Sequence, residues 1–247
     1  MSGAADGRAR RGTKPPRFYF SLRSPYSWLA HHDLMRHHPD VAALVEWRPF
    51  WEPDERSRKL LTDAGGDFPY VAMSRAKHLY ILQDVRRLVR ERGLESTWPV
   101  DRDPRWEVPH LAYLAAVDAG RGPDFVQLAY RKRWIEGRDI CDSATISAMA
   151  KELGVAEEPL VEAVDDPEMR RRGAAALLDV DRDGVFGVPF LVHGFDKFWG
   201  VDRLEAFAAS VRGRTATAPT SQDVEPREDE PPTTGQGGDQ GHAGGCG

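Results

Sequence analysis

The sequence predicts an α/β fold whose sheet-bearing part is interrupted by an all-helical insertion. Three observations predict it. In Arg17–Ala30, RFYFSLRSPYSWLA, Phe18, Phe20 and Leu22 alternate with Tyr19 and Ser21. After Ser24-Pro25, apolar residues from Tyr26, Trp28 and Leu29 to Leu34 and Met35 recur at helical spacing. In Val185–Phe207, VFGVPFLVHGFDKFWGVDRLEAF, an apolar strand entered through Val188-Pro189 turns at His193-Gly194 into a second strand, and a helix opens near Asp202. Between these stretches, residues 71–179 turn helical, with one loop at Trp98–Pro109 and no strand pattern.

Taken in order, residues 1–16 read as a disordered arm. Phe18–Leu22 is the first strand and Pro25–His38 the first helix, with Ser24 as its cap and Pro25 in its first turn. Val41–Pro49 reads as a second strand, parallel to the first. Pro53–Phe68 is polar, contains Gly65-Gly66, and reads as a loop with a short helix. Met73–Arg92 is helical, with Leu79, Leu82, Val85, Leu88 and Val89 near 3.6 spacing, and ends at Gly93. Trp98–Pro109 reads as a loop. Helices follow at His110–Ala119, Pro123–Trp134, Ser143–Leu153, Glu158–Val164 and Pro167–Asp179. The expected organisation is a sheet-bearing domain from 17–70 and 180–213, a helical insertion over 71–179, and a tail over 214–247. That tail is acidic, Gly- and Pro-rich and free of aromatic residues, so it cannot bury enough apolar surface to offset ordering.

Hydrophobic residues make up 40% of the 247 positions, enough for one large domain or a domain with an insertion. No apolar run approaches the ~20 residues that span a membrane, and the amino terminus has no apolar signal-like core. The expectation is a soluble cytoplasmic protein. The net charge of −5 hides an asymmetry: residues 1–17 carry five Lys/Arg and one Asp, whereas residues 215–247 carry six Asp/Glu and one Arg. The part between is acidic, which argues against nucleic acid as a partner. The two cysteines, Cys141 and Cys246, form no Cys-x-x-Cys pair and support neither a disulfide framework nor a zinc site.

Several motifs point to bland readings. Asp179-Val-Asp181-Arg-Asp183-Gly184 begins like a calcium loop, but its twelfth position is Phe190 rather than Glu, so it reads as a helix end with a turn. His31, His32, His37 and His38 lack a completing carboxylate or cysteine and read as a surface helix face, with no metal expected. There is no Gly-rich phosphate loop and no Gly-x-Ser-x-Gly elbow. Ser24 is different. The first amides of its helix have no internal partners and carry positive potential, so backbone N–H groups and a hydroxyl there suit a thiolate, a phosphate or a carboxylate. The plainer reading of Ser24 is a helix cap alone.

A capped strand-turn-helix paired with a late Val-Pro strand resembles the thioredoxin superfamily, whose Cys-x-x-Cys is replaced here by Ser24-Pro25-Tyr26-Ser27. More narrowly, SPYSWLA, EGRDI and GVFGVPFLV…FWGVDRLE resemble the DsbA-like 2-hydroxychromene-2-carboxylate isomerases and the related kappa-class glutathione transferases. The resemblance runs from about Phe18 to Val211, with several separate motifs in the right order. It implies a thioredoxin-like domain interrupted by a helical domain, a homodimer, and glutathione or another low-molecular-weight thiol as cofactor.

By the same resemblance, Lys77 of the Lys77-x-x-Tyr80-x-x-x-Asp84 pattern binds a glutathione carboxylate. The Val188 backbone before Pro189 pairs with the cysteinyl part, and the Val201 amide with Asp202 receives the γ-glutamyl group. Trp134 and Glu136–Ile140 match a helical-domain signature, so Trp134, Arg138 and Tyr26 are the expected substrate-binding residues. On composition alone Lys77 reads as a surface lysine and Gly137 as the turn at a helix end. Tyr80 and Asp84 read as an i,i+4 pair that packs the helix. Two departures stand out. Relatives carry Gly-Asn-x-x-Pro where this chain has Gly65-Gly66-Asp67-Phe68-Pro69, and they are often polar at Val201. These point to weaker glutathione binding, another thiol, or a site that uses none.

The expected activity is thiol-dependent isomerisation of an aromatic, carboxylate-bearing substrate, with Ser24 stabilising the thiolate. The alternatives are a kappa-type transferase or oxidoreductase, and an inactive accessory protein with the same fold. Serine at both cysteine positions excludes the usual dithiol redox chemistry.

Overall fold

Four short strands form one mixed sheet in the order β2-β1-β3-β4: β1 is Arg17–Phe20, β2 Glu46–Pro49, β3 Phe190–His193 and β4 Asp196–Trp199. The computed structural model describes residues 14–69 and 73–216. β1 runs parallel to β2 (Phe18 opposite Trp47) and antiparallel to β3 (Tyr19 opposite Phe190), while β3 and β4 form a hairpin. Alternation sorts the strand residues by face. Phe18, Phe20 and Leu191 join the large core under α1 (Pro25–His37) and the final helix, with Leu204 and Phe207. Tyr19, Phe190 and Val192 face the other way, onto Val180.

The helices follow the predicted order with shifted ends. α2 (Pro39–Ala42) occupies the start of the stretch predicted as strand Val41–Pro49, because Pro39-Asp40 opens a helical turn and buries Val41 and Ala42. α3 (Glu55–Asp63) is the short helix within the polar stretch, capped by Asp54. α4 is Arg75–Glu91 and α5 Glu107–Asp118, so the loop predicted to Pro109 ends earlier. α6 (Gly122–Tyr130) continues as a π-helical turn, Arg131–Ile135. α7 is Ser143–Leu153, α8 Glu157–Val161 with a 3-10 turn to Val164, and α9 Pro167–Arg182. α9 runs across residue 180 and packs on α3, α5 and β2. A 3-10 turn, Val201–Arg203, precedes α10 (Leu204–Ala216). α10 extends past the predicted tail start at Arg214, whose guanidinium binds Asp196 in the hairpin. The expected arm and tail, Cys246 included, fall for residues 1–13 and 217–247 outside the described residues.

The chain therefore folds as predicted in class: a thioredoxin-like sheet with helices inserted between its β2 and β3 strands. One buried cluster runs from Phe18 and Phe20 through Tyr113 and Phe125 into the inserted helices. The Phe20 and Tyr113 rings meet edge-on at 5.2 Å, and the Tyr113 hydroxyl donates to the Trp47 carbonyl.

Two expectations about side chains are corrected. His31 and His38 are buried, not part of a surface face. His38 Nε2 lies 3.0 Å from Glu205, which ties α1 to α10. Asp84 does not pair with Tyr80. Its carboxylate accepts from Tyr26 on α1 at 2.7 Å and from Arg87. Residues 179–184 close α9 with a turn at Gly184 (φ 65°), where Asp179 binds Arg48 and Asp183 binds Arg17 and Tyr19.

Candidate functional site

β1 leads directly into the α1 cap. Ser24 is extended (φ −81°, ψ 123°), and its Oγ accepts the Ser27 N–H at 3.2 Å. That bond uses an oxygen lone pair and leaves the hydroxyl proton free to donate. Pro25 has no N–H, so the Tyr26 amide is the first-turn donor that the helix geometry leaves open. Ser24 itself is half-buried. The second serine of the Ser-x-x-Ser run is structural: Ser27 is fully buried and its Oγ accepts the Ser21 N–H.

The opposite wall of this site comes from β3. Its antiparallel register ends with Tyr19 opposite Phe190, so Pro189 and Val188 lie just before β3 at the end of the sheet from which β1 leads to Ser24. The Val188-Pro189 bond is cis. Gly200 N donates to the Pro189 carbonyl at 3.0 Å, which fastens the Val201–Arg203 turn to the same loop. That turn packs against α1. Ser24, Val188, Val201 and Asp202 are thus gathered by backbone geometry at one end of the sheet. Asp202 is exposed, with Arg203 at 3.7 Å.

Lys77 enters from α4. Tyr26–Asp84 and Asp33–Arg92 (2.7 Å) tie α1 and α4 at two levels in the same direction. The two helices therefore run parallel. Lys77 lies seven residues before Asp84, on the same face and about 10 Å beyond it, which carries it past the α1 cap. It is exposed, in the turn after the Ser74 cap, and makes no ion pair among the described residues.

The expected substrate residues separate. Tyr26 is half-buried and its hydroxyl is engaged by Asp84. Burial and that hydrogen bond raise its pKa. Trp134 is 2% exposed and stacks on Trp28 at 5.9 Å, with Trp98 edge-on at 5.4 Å. Arg138 is exposed. Its amide donates to the Lys132 carbonyl, and its guanidinium makes no ion pair among the described residues. Gly66 is shut in, because a Cβ there would meet Leu178 Cδ1 at 2.6 Å and Leu61 Cδ1 at 2.7 Å. The side chain missing at that position therefore has no ready space in this packing.

Two supports of the cap escape sequence reasoning. His110, fully buried in α5, accepts the Leu22 N–H at Nε2 (3.1 Å) and donates from Nδ1 to the Trp106 carbonyl (2.7 Å). Burial lowers its pKa to about 3, so the ring is neutral and holds the turn before Ser24 in place. The Arg23 and Arg133 guanidiniums both lie over the Trp106 ring, at 5.3 and 5.0 Å, and Arg133 also covers Trp134 at 4.9 Å. The Trp106-x-x-x-His110 spacing was the available signal, but its partner, the Leu22 amide, is remote in sequence. Among the described residues no group of three or more His, Cys, Asp or Glu is arranged to hold a metal.

A helix capped directly after the first strand, facing a cis-proline at the head of an antiparallel strand, defines a thioredoxin-fold protein. The chain belongs to the DSBA-like thioredoxin domain family, whose model matches residues 17–212. It is 28% identical over 198 residues to the 2-hydroxychromene-2-carboxylate isomerase of Sphingobium xenophagum, covering 78% of this chain and 95% of that one. A solved 2-hydroxychromene-2-carboxylate isomerase superposes with a TM-score of 0.64 at 20% identity, covering 81% of this chain and 95% of the other. The cytosolic disulfide reductase DsbM of Pseudomonas aeruginosa, solved with GSH, superposes with a TM-score of 0.55 at 17% identity, covering 81% and 98%. Both superpositions establish the fold.

Proposed function

We propose that this chain is an isomerase of an aromatic, carboxylate-bearing substrate that uses glutathione or another low-molecular-weight thiol at the Ser24 site. The carrying observation is the cap itself: a half-buried serine whose hydroxyl proton is free, at the positive end of a 13-residue helix. The sequence relative named an isomerase and the fold relative solved with GSH support the reading.

The residues present fit such a cofactor. Ser24 Oγ–H and the Tyr26 amide stabilise a thiolate and lower its pKa. Lys77 and Arg138 make no ion pair among the described residues and suit carboxylates of the thiol and of the substrate. Asp202 receives an ammonium, and Val188 offers backbone groups beside the cis-proline. When bound, the thiol would supply a nucleophile able to add reversibly to a conjugated carbon of the substrate. Ser24 donates a hydrogen bond throughout and forms no covalent bond. Gly66 and Val201 remove side-chain contacts, so a modest affinity for glutathione belongs to this reading. We also propose a cytoplasmic homodimer, since low-molecular-weight thiols stay reduced there.

The test is a titration of the protein with glutathione, followed by thiolate absorbance across pH, beside Ser24→Ala. The expected result is a thiolate formed well below its free pKa of ~8.5, with the shift lost in the variant. A thiol that binds with the same pKa in both proteins removes Ser24 from the chemistry. Accumulation of a conjugate with consumption of thiol replaces the isomerase by a transferase.

A further inference from the structure

Along α1 from Trp28 to Arg36, that helix, α6 and the π-helical turn line an open cleft of about 590 Å³. That size is in the range of small-molecule sites, ~300–1,000 Å³. α1 rises about 1.5 Å per residue, so Arg36 lies about 18 Å along the helix from Ser24. Nothing in the reaction proposed above uses this cleft.

Three features set it apart. Its rim is apolar where a surface is normally polar: Met35 on α1 and Ile135 on the π-turn are 42% and 40% exposed, and both line it. Its inner wall holds an unanswered polar group. His31 is 7% exposed and packs between Trp47 (5.5 Å) and Tyr130 (5.3 Å), and neither ring nitrogen has a hydrogen-bond partner among the described residues. Those nitrogens are not sealed in the core, so they stay open to the cleft. Its charge is unbalanced. Three arginines and two carboxylates line it. Arg121 is taken by Asp124 at 3.2 Å and Arg131 by Glu152, which leaves Arg36 without an ion pair among the described residues.

We propose that this cleft binds a small organic monoanion with a one- or two-ring apolar body, its carboxylate held by Arg36 and His31 and its rings lying between Met35, Leu128 and Ile135. A neutral imidazole keeps one N–H donor, so His31 serves without being charged. Burial and the neighbouring His32 hold His31 at a pKa of about 4, consistent with a neutral donor. The apolar rim accounts for a ring, and Arg36 for the negative charge.

The experiment titrates the full chain with 1-naphthoate and, separately, with uncharged 1-naphthamide by calorimetry. Wild type, Arg36→Gln and Ser24→Ala are compared, and the histidine ring signals are followed by NMR. Arg36 is exposed, so its replacement leaves the fold intact. The expected result is naphthoate binding that weakens about tenfold in Arg36→Gln, a loss of ~1.4 kcal/mol. Ser24→Ala should bind naphthoate as wild type does, the His31 signals should move at saturation, and naphthamide should bind more weakly. Absence of naphthoate binding, an affinity unchanged by Arg36→Gln or reduced by Ser24→Ala, equal binding of naphthamide, or His31 signals that stay put each overturn it. The thiol titration of Ser24 is independent of every one of these outcomes.

Discussion

Arg170, at the junction of α3, α5 and α9, donates to the Val164 carbonyl, to both Asp54 oxygens and to Ser57, whereas Ser24 at the α1 cap keeps a hydroxyl proton to donate and Lys77 on α4 makes no ion pair among the described residues. Arg170 is 2% exposed, and Glu107 beside it is 1% exposed and accepts the Asp54 N–H. Burial raises the Glu107 pKa. Burial also acts upward on Asp54, but hydrogen bonds from Arg170 and Ser57 overcome it and lower its pKa. A polar network of this kind locks helices together. The open donors at the cap contribute little to stability and leave the site able to bind. The difference separates groups that hold the fold from groups available to chemistry.

The largest test of that separation is Arg170→Met. Removing one partner of the pair leaves Asp54 without its counter-charge and the Val164 carbonyl and Ser57 hydroxyl without the Arg170 donors, and should cost about 3 kcal/mol, read as a lower urea midpoint. Thiolate formation at Ser24 should keep its pH midpoint in the fraction that remains folded. A shifted midpoint would mean that the two regions are coupled.

Next comes acid. His110 and His31 are held neutral in the folded state, with pKa values near 3 and 4 against an ordinary 6.5. Below pH 6.5 the unfolded chain takes protons that the folded chain refuses, so stability falls as pH falls toward those values. Each group contributes about 1.4 kcal/mol per pH unit, and Glu107, with its raised pKa, acts in the opposite sense. Urea midpoints at pH 7, 6 and 5 should therefore decline steadily. A flat profile would mean that the cap support at His110 is not buried as described.

Tyr26→Phe is smaller. It removes the hydroxyl that bridges α1 to Asp84 and should cost roughly 1.5–2 kcal/mol, the value of a hydrogen bond to a charged group. It should also weaken thiol binding by letting Lys77 drift from the cap. If stability falls and thiol affinity does not, Lys77 has no part in the site. Ser24→Ala is the smallest in stability, about 1 kcal/mol for a lost cap. In the thiol titration it should have the larger consequence, which sharpens the contrast with Arg170.

Local periodicity determined much of this protein. The alternation in Phe18–Leu22, the cap at Ser24, the hairpin at His193-Gly194 and the helix over Ser143–Leu153 need only neighbouring residues to be readable, and the structure has each of them. The same locality explains why the motif-bearing turns Ser24-Pro25 and Val188-Pro189 could be singled out. Where a short run is ambiguous, locality fails: the apolar run from Val41 reads as strand, but Val41 and Ala42 sit in a helical turn set by Pro39. Tertiary structure alone decided which polar side chains are engaged. Asp84 turned to Tyr26, His31 and His38 turned inward, Trp134 closed against Trp28, and His110 reached the Leu22 amide. Each of those partnerships joins residues far apart in the chain, and spacing along one helix carries no information about what packs against it.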